Sequence, residues 1–335
     1  MHILVVRNNS NPQAIDASLL VATYLTSQGI ASTVVDSSSL GNDQEREAIR
    51  RQLPDAIDLV IVLGGDGTVL HTVHLLHTRQ VPLLPINFGR LGFLANADDA
   101  GLIPLLADAL AGELAAEQRA MLSIQVVCED ERDPYDADCY DEDGGFAEEA
   151  TCSLDEVSLP TIWGSWVCED KFGVNSRGLA GIRHFFALNE LALTRGSLGR
   201  IIELSLGISG TTVDHLRGDG LIVCTATGST AYALSAGGPL VSPGFKGMVA
   251  VPLAPHTLQS RAIVTDSHDV IEITLSNADA FREATLFVDG EIVPFPQPLK
   301  KIYVQRADHP VTLLRVEGAS FYERLSRDFF GDQCA

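Results

Sequence analysis

Nowhere in this 335-residue chain do apolar residues run for the ~20 positions needed to cross a bilayer as a helix, which excludes a helical membrane protein. No secretory leader is expected. The opening run MHILVVR has no basic n-region and passes straight into polar residues, so the chain reads as cytoplasmic. Basic charge is scarce: Lys and Arg total 23 against 44 Asp and Glu, a formal net charge of −21. That balance excludes nucleic acid and anionic membrane surfaces as partners. The six cysteines (Cys128, Cys139, Cys152, Cys168, Cys224 and Cys334) include no CxxC pair and no zinc-knuckle spacing, so unlinked thiols are expected. No internal repeat of fixed period is present.

The acidity is concentrated. Residues 129–149 hold eleven acids against Arg132 alone, so −10 of the −21 lies there, and the segment reads as a solvated loop. The remaining composition is globular, with 46% hydrophobic and 20% charged residues overall, and the length predicts two domains. Over residues 1–117 the patterns alternate, with strands expected at 3–6, 32–35, 57–63 and 81–86. Helices are expected at 12–28, 44–53, 68–78 and about 98–114. The run 57–63 is apolar but for Asp58, as in a strand covered on both faces of a parallel sheet. This order predicts a doubly wound α/β domain with right-handed crossovers.

From residue 118 to 319 short β-type runs dominate, at 122–127, 187–194, 201–208, 221–224, 249–253, 270–275, 285–288, 301–304 and 311–316. They predict a β-rich second domain carrying an insertion within about 129–180, where Trp163 and Trp166 are candidate anchors. A helix near 320–330 is expected to pack back on the first domain, so that residues 320–335 return to it. Ser209-Gly210-Thr211-Thr212 and Gly237-Gly238-Pro239 read as hairpin turns.

The feature richest in chemistry is Gly64-Gly65-Asp66-Gly67-Thr68, between the apolar run and a helix. Glycine-rich strand-to-helix turns bring backbone N–H groups and the positive end of a helix dipole onto phosphate oxygens. Gly64, Gly65 and Thr68 are therefore candidate phosphate-binding residues. An Asp among them would repel phosphate unless it accepts a hydroxyl proton or meets a cation, so Asp66 is the candidate catalytic residue. The plainer reading, an Asx-type capped turn, is weaker for this motif directly after the apolar run at 57–63.

GGDGT resembles a superfamily that includes phosphofructokinases, diacylglycerol- and sphingosine-type lipid kinases, and NAD kinases. Further motifs resemble the NAD kinases in that family's order. They are residues 87–94 (NFGRLGFL), Ala187-Leu188-Asn189-Glu190, and the long run 218–239 beginning Gly218-Asp219-Gly220. His256 with its neighbours, Val288-Asp289-Gly290 and residues 320–325 (SFYERL) also fit. The resemblance implies phosphoryl transfer from ATP, or from inorganic polyphosphate, to the adenosine ribose 2′-hydroxyl of NAD, with Mg²⁺ or another divalent cation. It implies a homodimer or homotetramer whose neighbouring subunits contribute to the site. Asp66 resembles the proton acceptor, and Gly67 contacts NAD beside it. Asn189 and Glu190 would hold ribose and adenine groups; Arg217, Asp219, Thr227, Thr230, Ala231, Tyr232, Ala233, Leu234 and Ser235 would line the dinucleotide site. Arg200 falls where some members place another polar contact. This chain departs from the pattern at Ala226, in place of proline, at Glu291, in place of glutamine, and in the length of 129–180.

His71, His74 and His77 recur on the helix after GGDGT. They drift around it with no evident carboxylate partner, so a metal site is not expected. His71, one turn from the loop, is placed with the NAD-binding residues as a group reaching a phosphate or Asp66, and His74 and His77 read as surface or groove residues. Two rivals differ in class. A lipid kinase would share GGDGT and lack the Asn189–Glu190 and 227–235 signatures; a non-catalytic dinucleotide sensor would be free to lose Asp66.

Overall fold

The computed structural model describes residues 1–89, 92–96, 101–129, 131, 133, 135, 183–197, 199–276, 284–295, 298–316 and 321–331. In chain order the first part contains β1 (His2–Arg7), α1 (Pro12–Ser27), β2 (Ala31–Asp36), α2 (Asp43–Gln52), β3 (Leu59–Leu63), α3 (Asp66–Leu76), β4 (Leu83–Ile86), α4 (Leu102–Ala111) and β5 (Ala115–Arg119). Local chemistry sets the helix starts. Asn11 caps α1 by accepting from Gln13 N–H ahead of Pro12, and Asn42 caps α2 in the same way. Strands β2, β1, β3 and β4 lie side by side and parallel. Because successive strand side chains point to opposite faces, Ile3 and Val5 pack with Val21, Leu25 and Leu106 of α1 and α4. Leu4 and Val6 pack on the other face with Val69 and Val73 of α3. All five residues of β3 are buried, each Val, Leu or Ile contributing ~1.5–3 kcal/mol. The doubly wound α/β domain is present as expected.

The second part contains β6 (Leu122–Cys128), β7 (Arg183–Ala187), β8 (Glu190–Arg195), β9 (Ile202–Ile208), β10 (Thr211–Gly218), β11 (Gly220–Cys224), α5 (Tyr232–Ser235), β12 (Val249–Leu253), β13 (Ile263–Val264), β14 (Val270–Leu275), β15 (Ala284–Val288), β16 (Glu291–Val293), β17 (Leu299–Arg306), β18 (Val311–Arg315) and α6 (Phe321–Leu325). Two antiparallel six-stranded sheets, ordered β10-β9-β14-β17-β6-β7 and β13-β12-β11-β8-β15-β16, face each other across one apolar core. The C-terminal helix reaches the first unit, where Phe321 and Phe329 pack on the Phe93 ring.

Several expectations need correction. The run 187–194 is two strands in two different sheets, broken at Leu188-Asn189. Residues 211–218 form strand β10, and the turn before it is Ser209-Gly210, both with positive φ. Gly237 ends a helix rather than a hairpin: its φ of +81° closes the turn after α5. The run at 311–315 belongs to the first sheet, parallel to β4 and antiparallel to β5, so the chain returns there at Val311.

The start of the acidic segment is not solvated. Glu131 and Asp133 are buried; Asp133 accepts from Tyr303 OH (2.8 Å) and pairs with Lys301 (3.2 Å), and the Tyr135 ring packs on Tyr303. These partners lie some 170 residues away, so local composition could not reveal them. Cys128 and Cys224 are buried thiols. Arg90, Leu91, Trp163, Trp166, Ser320, the rest of 136–182 and the other four cysteines lie outside the described residues. Among the described residues no helix is long and apolar enough to cross a membrane.

Candidate active site

The strand-to-helix turn after β3 is tight because Gly64 leaves no room for a side chain. A Cβ there would overlap the Thr68 hydroxyl, so Thr68 packs beneath the turn and is buried. Helix α3 begins at Asp66, two residues earlier than the pattern predicts. Its N-cap is Gly65, whose lack of a side chain leaves the first-turn amides without a side-chain acceptor. Gly67 is exposed, with open space beside it. Asp66 sits where a negative charge meets the positive end of the helix dipole. Its Oδ2 accepts from Phe93 N–H (3.0 Å) and its Oδ1 from Leu94 N–H (3.1 Å), while a Cβ on Gly92 would overlap the carboxylate.

Behind that loop lie three arginines that the sequence reading missed. Arg315 and Arg324 donate to the Phe93 carbonyl (2.6 and 3.3 Å), and Arg119 donates to Thr227 Oγ1 (3.3 Å). Glu117 pairs with both Arg119 and Arg315 at 2.9 Å. Arg119 Nε and Arg315 Nη1 are buried without a hydrogen-bond partner. The Asp66 loop is therefore backed by an excess of positive charge. Nothing in the local sequence around residues 119 or 315 signals this, because the cluster exists only once β5 and β18 pair.

The second constellation is the corner between β7 and β8. Asp289, whose side chain has 0% exposure, accepts from the N–H groups of Leu188 (2.8 Å), Asn189 (2.7 Å) and Glu190 (3.1 Å). Thr225 fastens the same corner from the other side, its N–H donating to Asn189 O and its hydroxyl to Leu188 O. A Cβ on Gly228 would overlap Asn189 O, which explains the glycine there. Glu190 is buried, and its Oε2 has no protein partner. Burial first, and then the Asp289 charge, push its carboxyl up to about 8, against a smaller opposing contribution from Tyr232 N–H. It lines a cavity of about 620 Å³ with Thr194, Arg195, Asp219, Tyr232 and Phe287, a volume suited to a nucleotide-sized ligand.

The other candidates divide. Asp219 lines that cavity and pairs with Arg195 (2.7 Å), and Tyr232 lines it as well. Thr227 is buried against Arg119, and Thr230 donates to the Thr227 carbonyl. Ala231, Leu234 and Ser235 lie on the same partly exposed segment, whereas Ala233 is 1% exposed and belongs to the apolar core under α5. Arg217 pairs with Glu203 (2.8 Å) on the outer sheet, and Arg200 is exposed. Neither lines the cavity among the described residues.

Two of the three histidines do have carboxylate partners, contrary to expectation. His71 faces Glu291 (3.9 Å) rather than the glycine turn. His74 is buried against Asp289 and Glu291, and His77 packs on Phe186. Glu291 is itself held by Arg46 (2.9 Å), so its charge is balanced within the protein.

An enzyme that moves a phosphoryl group must hold two anionic substrates in register and accept one proton. A glycine turn with open amides and one carboxylate, set beside a β-sandwich corner with its own cavity, is the architecture of a two-part phosphotransferase. Residues 3–114 match the family model for the ATP-NAD kinase N-terminal domain, and residues 188–316 match that for the ATP-NAD kinase C-terminal domain. The chain is 30% identical to an NAD kinase of Lachnoclostridium phytofermentans, over 98% of each chain. It is 32% identical to one of Nitrosomonas europaea, over 96% of this chain and 92% of the other. The fold is shared with yeast NADH kinase complexed with NADH, at 20% identity and TM-score 0.72 over 100% of this chain and 89% of the other. It is also shared with an NAD kinase from Archaeoglobus fulgidus in complex with ATP, at 21% identity and TM-score 0.63 over 99% and 98%. The chain belongs to the NAD kinase family.

Proposed function

We infer that this chain transfers the γ-phosphoryl group of ATP to the adenosine ribose 2′-hydroxyl of NAD, giving NADP and ADP. The observation that carries the reading is Asp66, a carboxylate fixed by two backbone N–H groups at an uncapped helix N-terminus. The 2′-oxygen attacks phosphorus, the bond to the β-phosphate oxygen breaks, and the hydroxyl proton passes to Asp66. The open amides of the glycine turn favour the donor phosphates there. The orphaned Glu190 Oε2 and its cavity favour the adenosine half of the dinucleotide.

Among the described residues no three His, Cys, Asp or Glu side chains cluster as a metal cage. Mg²⁺ takes one or two carboxylates together with substrate phosphates. Asp66 is the carboxylate the turn would offer it, and the ion would neutralise phosphate charge. We further propose a cytoplasmic homodimer or homotetramer that uses no nucleic acid or membrane partner, its phosphoryl donor being ATP or inorganic polyphosphate. Purified protein supplied with NAD or NADH and with ATP or polyphosphate, with NADP(H) formation followed by a coupled dehydrogenase, tests the reading. Absence of NADP(H) in every combination would refute it.

A further inference from the structure

Helix α3 carries Asp66 at its first position and His74 two turns later. The His74 side chain is 10% exposed, with Nε2 2.9 Å from Asp289 Oδ2 and Nδ1 3.6 Å from Glu291 Oε1. Asp289 is the residue that gathers the three N–H groups of the Leu188-Asn189-Glu190 corner. One carboxylate thus joins the base-bearing helix to the corner across the two units. The further polar links between the units, from Arg46, His71 and His74 to Glu291 and from Arg119 to Thr227, end on β16 or on the neighbouring loop instead.

The groups facing His74 come from every side. Asp289 and Glu291 approach from the β15–β16 turn, and Arg46 of α2 holds Glu291 through two nitrogens (2.9–3.0 Å). Arg50 donates to the His74 backbone carbonyl (2.8 Å), and His71 and His77 flank it on its own helix. Burial disfavours the imidazolium, but the hydrogen bonds and charges of the two carboxylates outweigh it and raise His74 to about 9. At neutral pH the contact is a buried, charge-assisted hydrogen bond.

We propose that His74, acting through Asp289, sets the separation between Asp66 and the Asn189–Glu190 corner, and is therefore a positioning residue for phosphoryl transfer. It rests on the function proposed above. Asp66 at the head of α3 and the corner that holds the acceptor must agree to within a fraction of an ångström, and a 1 Å misplacement costs on the order of 10²-fold in rate. A rigid helix pinned at its eighth residue beyond Asp66 provides that agreement without touching substrate.

The test compares His74→Gln, which keeps an N–H donor toward Asp289, with His74→Leu, which removes it. Both full-length variants are assayed with NAD and ATP well below their measured Tm. The expected result is a fall in kcat of roughly 30- to 100-fold for His74→Leu, with the KM for ATP within about threefold of wild type. His74→Gln should recover most of that loss. A His74→Leu enzyme with a lowered Tm but kcat within about threefold of wild type would overturn the proposal. Equal impairment in both variants would also overturn it, since ring volume rather than the hydrogen bond would then matter. If His74→Leu does not fold, His74→Asn, polar but too short to reach Asp289, replaces it with the same two outcomes. A wild-type chain that forms no NADP would be seen before any variant is assayed, and it defeats the functional reading itself.

Discussion

Replacing Glu190 by glutamine should make this protein more stable at alkaline pH, although it removes a residue facing the cavity. Glu190 is 7% exposed, and burial, followed by Asp289, lifts its pKa from 4.5 to about 8. Between those values the folded chain keeps a proton that the unfolded chain has released, so stability falls as pH rises through the window. The cost is complete above about pH 8. Each tenfold change in the protonation equilibrium is worth ~1.4 kcal/mol, so the span sets an order-of-magnitude ceiling near ~5 kcal/mol. Glutamine has the shape of the protonated acid and escapes the cost. Denaturant melts of both proteins from pH 5 to 9 should therefore diverge, near parity at pH 5 and with the variant ahead by ~1 kcal/mol or more at pH 9. The His74 titration is present in both proteins and drops out of the difference to first order. Parallel curves, or a variant less stable than wild type at pH 9, would refute the reasoning. In kinetics near pH 7 the same logic makes Glu190→Gln mild. Glu190→Ala should raise the KM for NAD by roughly 2- to 13-fold, the worth of a neutral hydrogen bond.

Asp66→Asn should fold and bind NAD normally while kcat falls by roughly 10²–10⁴-fold, and near-normal turnover would remove Asp66 from the chemistry. Gly92→Ala should lower kcat by at least ~10-fold at nearly unchanged Tm, because the new methyl displaces the Asp66 carboxylate; unchanged kcat would show that the loop yields freely. Deleting residues 136–149 should leave Tm within ~2 °C of wild type, whereas deleting 129–149 should lower it by ~5 °C or more, since that cut strips Lys301 and Tyr303 of Asp133. Equal melting of the two deletions would mean that the buried acids contribute nothing.

Most of the first unit was legible because its signals are local. Five consecutive apolar residues before a glycine turn specify a covered strand and a phosphate-type loop without reference to distant parts of the chain. The corner at Leu188-Asn189 was not legible as a break. Residues 187–194 are apolar on both sides of it, and what bends the chain is a carboxylate one hundred residues later. His74 had no visible partner for the same reason, its acceptor lying 215 positions away. The segment at 129–135 was misjudged because charge predicts solvation only when no lysine or buried phenol is waiting for it. Signals of this tertiary kind are written in pairs, and a single sequence displays one member at a time.

The placement of β18 between β4 and β5 has a consequence for how the chain is made. A ribosome releases β1 to β4 early, and those strands can pair in parallel as soon as their helices cover them. Among the described residues, strand β5, also made early, pairs in that sheet with β18 alone. Until residues 311–315 emerge, one edge of β4 stays open and Ala115–Arg119 waits unpaired. Glu117 can then gather both Arg119 and Arg315 only after Arg315 has been made, and the carbonyl of Phe93 meets its two arginines no earlier. The loop that orients Asp66 is thus completed by residues made long after the loop itself, so a nascent chain that has not yet reached Arg324 lacks the arginines that hold the Phe93 carbonyl.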